Sequence, residues 1–98
     1  MPTSRAHVTT ATAARYAKQL ASHLGRKIPT EETPEGDLRL VFDTASALLH
    51  SADDHLLIEV TGPDEVMVVT VQGVVGSHLE RFGRRGELKV EWEAAAEG

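Results

Sequence analysis

Apolar and polar positions alternate at the N-terminus, then recur every three or four residues, then alternate again. Arg5, His7 and Thr9 alternate with Ala6, Val8 and Thr10, which predicts a short strand. Thr9 or Thr10 is placed to cap a helix over residues 11–25. In that span Ala13, Tyr16, Ala17, Leu20 and Leu24 fall on one helical stripe, with Arg15, Lys18 and Gln19 off it. Gly25 is expected to stop the helix as a C′ residue, and Arg26 and Lys27 suit its negative end.

A second strand is expected from Ile28 to Thr33, held to a sheet edge by Pro29. Pro34-Glu35-Gly36-Asp37 predicts a turn. Leu38, Leu40 and Phe42 then alternate with Arg39, Val41 and Asp43, Ala45 to Ser51 continues as another strand, and Asp53-Asp54 marks a hairpin connection. His55 to Thr61 is a further strand through Leu56, Ile58 and Val60, and Gly62-Pro63-Asp64 ends it.

The run from Val66 to Val71 is rich in β-branched residues and suits a strand by propensity. Over a longer window, Met67, Val71, Val74, Val75, His78 and Phe82 share one helical face. Pro63, Asp64 and Glu65 also suit a helix start. The longer pattern predicts a helix over 64–82, weakened by Gly73 and Gly76. Leu88, Val90 and Trp92 alternate with Lys89, Glu91 and Glu93 as a final strand.

The order β-α-β-β-β-β-α-β, with short turns between the middle strands, implies an antiparallel sheet. The fold class is α+β, a two-layer sandwich with both helices on one face. Leu20, Leu24, Leu40, Phe42, Ile58, Val71, Val75, Phe82 and Trp92 are the expected core. Residues 1–93 form a single domain and 94–98 an Ala-Glu tail that frays. Ser22-His23-Leu24 and Ser77-His78-Leu79 both end a helix that follows a strand, which suggests related halves.

Composition narrows the chemistry. The 98 residues suit one small domain. Zero cysteines exclude disulfides, thiol nucleophiles and cysteine-bearing zinc sites. Ten Lys and Arg against 15 Asp and Glu give a net charge of -5, the wrong sign for a general nucleic-acid binder. Aromatics at 4% make a base-stacking platform a poor fit. No apolar run approaches a membrane span, and no secretory leader is visible after Met1, so the expected location is cytoplasmic.

The candidate side chains gather at the two helix ends. His78 lies about 40° around the helix from Phe82 and is expected to face the sheet, with His23 at the edge of the first stripe. If the helices pack side by side the imidazoles meet; a metal would need a third ligand such as Asp43 or Glu91. Arg81, Arg84 and Arg85 form a basic cluster that suits an anionic ligand, or simply the helix C-terminus. His50, Asp53, Asp54 and His55 fall in a turn where solvent is the expected partner. Ser22 and Ser77 point about 100° from the adjacent histidines and make no nucleophile–base pair with them.

Gln19-Leu20 followed by His23 and Lys27, then His78-Leu79-Glu80-Arg81-Phe82 leading to Arg85, Glu87-Leu88 and Trp92, resembles a bacterial family, the domain of unknown function numbered 2218. The resemblance spans Arg5 to Trp92. Ala21 and Arg26 stand where that pattern has a cysteine and a second histidine, and Gly86 where it has an acidic residue, so it implies no complete metal site. Members occur alone or fused to siderophore-interacting flavin reductases, which implies a link to iron acquisition and no established activity. The expected function is therefore a non-enzymatic binding or accessory module in iron–siderophore handling, with no cofactor. Its ligand-binding residues would be His23, His78, Arg81, Arg84 and Arg85, and its partner a siderophore-interacting reductase or an anionic ligand. The alternative is a structural module without a small ligand, forming a homodimer through a sheet edge or an apolar helix face. A third reading, an enzyme working through His78, has less behind it.

Overall fold

In the computed structural model, which describes residues 2–82 and 90–94, the N-terminal alternation becomes strand β1, Thr3–Thr9. Ser4, Ala6 and Val8 are buried and Arg5, His7 and Thr9 exposed. Helix α1 spans Ala13–Leu24 and starts later than the threonine pattern predicts. The Thr10 hydroxyl accepts the Thr12 backbone N–H at 3.1 Å, a local turn that delays the helix by two residues. Thr12 occupies the N-cap without a side-chain bond to the helix backbone.

At the other end Gly25 keeps a right-handed φ of -62°, not the left-handed conformation of a C′ glycine. Its backbone N–H reaches the Ala21 carbonyl at 2.7 Å, and a Cβ at Gly25 would meet that oxygen at 2.6 Å. Close approach, not positive φ, is what requires glycine there.

The middle of the chain is a meander: β2 (Thr30–Glu32), β3 (Leu38–Phe42), β4 (Ala45–Ser51) and β5 (His55–Thr61). β2 is shorter than predicted because Ile28 turns back to bond the Leu24 carbonyl and Pro29 has no N–H to give. Helix α2 spans Glu65–Phe82 and β6 spans Trp92–Ala94. The sheet order is β2-β3-β4-β5-β1-β6, with every neighbouring pair antiparallel. Both helices lie on one face, against β3, β4 and β5, so the α+β two-layer sandwich stands.

The β-branched run at 66–71 is helical, against its local propensity. Val68, Val71, Val75 and Leu79 are buried at helical spacing, and that packing outweighs the fraction of a kcal/mol each valine loses in a helix. Asp64 caps the start, its carboxylate accepting the Met67 N–H at 2.8 Å. Asp64→Ala is expected to cost about 1 kcal/mol in urea unfolding. An unchanged midpoint would show that the cap contributes nothing.

The core differs from expectation at its margins. Leu20, Leu24, Leu40, Ile58, Val71 and Val75 are buried as expected, but Phe42, Phe82 and Trp92 are only half-buried. Each sits where cover runs out: the last residue of β3, the last of α2, and the first of an edge strand. Val8, Leu49, Leu56, Val60 and Leu79 fill the interior instead. The final strand begins at Trp92, opposite Ala6, and reaches Ala94, opposite Ser4. Val90 lies outside it and turns toward α2, its N–H donating to the Glu80 carboxylate at 3.4 Å.

Candidate functional site

α1 and α2 run over the sheet side by side, and their C-terminal halves bring two histidines together. Each Ser-His-Leu motif works alike: Ser22 and Ser77 face solvent, Leu24 and Leu79 enter the core, and the histidine between lies at the seam. The ring centroids of His23 and His78 are 4.9 Å apart, tilted by 50°. His23 also meets Phe82 edge-on at 6.0 Å.

His78 is half-buried, and its Nδ1 lies 2.6 Å from the Val74 carbonyl one turn earlier. A carbonyl only accepts, so Nδ1 carries the proton and Nε2 is left to serve the surface. His78 therefore sits at the border of the buried stripe, whereas the sequence pattern predicts that it faces the sheet. Leu79 takes the inward position beside it.

Below the two rings opens a cleft of about 360 Å³. Its walls include Leu24, Ile28, Phe42 and Val74, and its rim holds His23, His78, Arg26 and Lys27. The half-burial of Phe42 has its explanation here, since the residue lines the cleft. Arg26 and Lys27 are exposed and have no carboxylate within ion-pairing distance among the described residues.

The predicted basic residues fare differently. Arg81 is exposed in the last turn of α2 and does not line the cleft. Arg84 and Arg85 lie outside the described residues. The cations beside the imidazoles are instead Arg26 and Lys27, which in sequence look like no more than charges on a helix C-terminus. Asp43 occupies a left-handed turn position with φ 54°, and Glu91 lies in a separate pocket lined also by His7, Trp92 and Glu93. Neither joins the histidine pair, and the described residues contain no group of three metal-ligating side chains.

The acidic and histidine-rich turn is solvated, as expected, but ordered by pairs. His50 Nδ1 meets the Asp37 carboxylate at 2.7 Å, and His55 Nδ1 meets that of Asp54 at 2.8 Å. The hydrogen bond from His55, and then its charge, hold the Asp54 carboxyl below the ordinary aspartate range. His7 and His55 lie 5.3 Å apart on the sheet face opposite α1 and α2.

Three comparisons bear on this arrangement. The sequence model of a family described as an uncharacterized protein conserved in bacteria, DUF2218, matches residues 5–93. The chain is similar to the NMR structure of PA4090 from Pseudomonas aeruginosa, with 35% identity and a TM-score of 0.79 over 95% of this chain and 96% of that one. None of the curated proteins is similar to it.

Proposed function

The chain belongs to the DUF2218 family of uncharacterized bacterial proteins, and we propose that it is a non-enzymatic binding module whose cleft receives a small anion with an apolar body. One observation supports this above the rest. Two imidazoles 4.9 Å apart stand over an apolar cleft whose rim also holds Arg26 and Lys27, a combination that matches one class of guest. Leu24, Ile28, Phe42 and Val74 would take a planar or aliphatic body out of water. The guanidinium and the ammonium would meet an acidic group, and His78 Nε2 would accept from a hydroxyl of the guest.

The volume, about 360 Å³, stands at the small end of ligand pockets. It suits one catecholate or hydroxamate arm, with the rest of a siderophore left in solvent. On this reading the module serves iron–siderophore handling as an accessory to a reductase partner.

The test is a nitrogen-15 NMR titration with catecholate and hydroxamate siderophores, free and ferric. Shifts are expected at His23, Arg26, Val74 and His78. His78→Ala and Arg26→Ala should each weaken binding about tenfold, the loss of about 1.4 kcal/mol expected for one hydrogen bond, without loss of the folded spectrum. Shifts confined to the open sheet face, or unchanged affinity in both variants, would refute the reading.

A further inference from the structure

Away from the cleft, His7 and His55 form a second imidazole pair, on the sheet face opposite α1 and α2. In the β1–β5 ladder His7 stands opposite Leu57 and His55 opposite Thr9, so the two histidines are diagonal neighbours. Side chains of this length reach one another across a diagonal. Their ring centroids are 5.3 Å apart, tilted by 44°. Two imidazoles that each give one nitrogen to a tetrahedral ion, at about 2.0–2.1 Å, hold their ring centres about 5 Å apart.

His55 is held in place for such a role. Its Nδ1 donates to the Asp54 carboxylate at 2.8 Å, so in the neutral ring the free lone pair is on Nε2. Histidines that bind metals have the same arrangement, with the second ring N–H given to a carboxylate. The backbone there is tied down as well. The Asp54 carbonyl accepts the Thr10 N–H at 3.0 Å, and the His55 carbonyl accepts the Ala52 N–H at 2.9 Å. The His7 ring makes no hydrogen bond or ion pair among the described residues, which leaves its nitrogens open to a ligand.

The surrounding charge favours a cation. Asp54 stands beside His55, and Glu91 and Glu93 line a pocket of about 230 Å³ together with His7 and Trp92. Carboxylates grouped in this way raise the local concentration of cations. Arg5, the nearest cation along β1, is already paired with Glu59 at 2.7 Å.

We propose that His7 and His55 together bind one divalent transition-metal ion of the zinc class. Imidazole nitrogen suits zinc, copper and nickel, whereas magnesium and calcium take oxygen ligands. No third protein ligand is gathered at the pair among the described residues, so water completes the coordination. Asp54 acts through His55 as a positioning residue. The site shares no residue with the histidine cleft, and neither reading depends on the other.

Isothermal titration of the tag-free chain with zinc chloride tests the site, with imidazole nitrogen NMR on the same samples. The expected result is one zinc ion per chain, with a dissociation constant below about 100 μM. The side-chain nitrogens of His7 and His55 should shift, and magnesium chloride should give no binding at the same concentrations. His7→Ala, His55→Ala and Asp54→Asn should each weaken zinc binding about tenfold or more. All three positions are at the surface, so melting should be unchanged without metal. His78→Ala, in the cleft, should bind zinc like the wild type. The proposal is overturned by a wild-type chain that takes up no zinc, by one ion shared between two chains, or by an unchanged affinity in any of the first three variants. Loss of zinc binding in His78→Ala would overturn it too, by placing the ion in the cleft.

Discussion

Ile58→Asp is expected to leave the chain unfolded at 25 °C. Ile58 is wholly buried near the middle of β5, opposite Ala6 on β1 and Leu49 on β4, and both neighbours are buried hydrocarbon. A carboxylate placed there has no cation to pair with, and the effective penalty for an unpaired buried ion is several kcal/mol. The lost isoleucine packing adds about 2–5 kcal/mol. A domain of this size has only about 5–10 kcal/mol of stability in all. Far-UV circular dichroism and amide dispersion check the result; a cooperative melt near that of the wild type would mean that Ile58 does not lie in the core. Leu57→Asp, one residue earlier and on the opposite face, should keep its fold, because a strand turns successive side chains to opposite sides.

Leu79→Ala is expected to cost about 2–5 kcal/mol, and Phe82→Ala less, although phenylalanine is the larger residue. Leu79 is wholly buried and its truncation leaves a cavity that the sheet cannot collapse into. Phe82 ends α2 half-exposed, with His23 against its edge, so water takes up part of the space its ring vacates. Urea unfolding of the two variants gives the comparison directly. If Phe82→Ala proved the more damaging, the buried stripe would be centred on Phe82, as periodicity alone suggests.

That stripe shows where periodicity loses its grip. Along residues 64–82 so many positions are apolar that several rotations of the helix satisfy the pattern. One of them places Met67, Val74, His78 and Phe82 inward. The observed one places Val68, Val71, Val75 and Leu79 inward, about 70° away. Helix α1 offers no such freedom, because Arg15, Lys18, Gln19 and His23 bound its stripe tightly, and there Leu20 and Leu24 are buried as the pattern requires. The aromatic residues of the expected core fall short of full burial for a related reason. Phe42 and Trp92 have the right parity for the inner face, but parity is silent on how far a neighbouring element extends over the end of a strand.

The candidate site was legible in part. The paired Ser-His-Leu motifs mark both helix ends, and two helices on one face of a sheet bring such ends together. The cleft beneath them had no sequence signal. It is formed by Ile28 after α1, Phe42 at the end of β3 and Val74 on α2, residues far apart in the chain and individually ordinary. Arg26 and Lys27 were visible only as helix-end charges, since nothing local says whether a cation at a C-terminus points into water or over a pocket.

Local chemistry determined the elements of this protein: their order, their approximate ends, the antiparallel meander, and the two-layer arrangement that buries one apolar face of each. Turn residues, caps and hydrophobic period act over a few positions, and a few positions are enough to specify them. Tertiary packing decided the rest. It chose the rotation of α2, set β6 to begin at Trp92, and gathered a cleft from separate elements. Each of those outcomes depends on the free energy of fitting whole surfaces together, which summed over a helix exceeds the few tenths of a kcal/mol per residue that local preference can set against it.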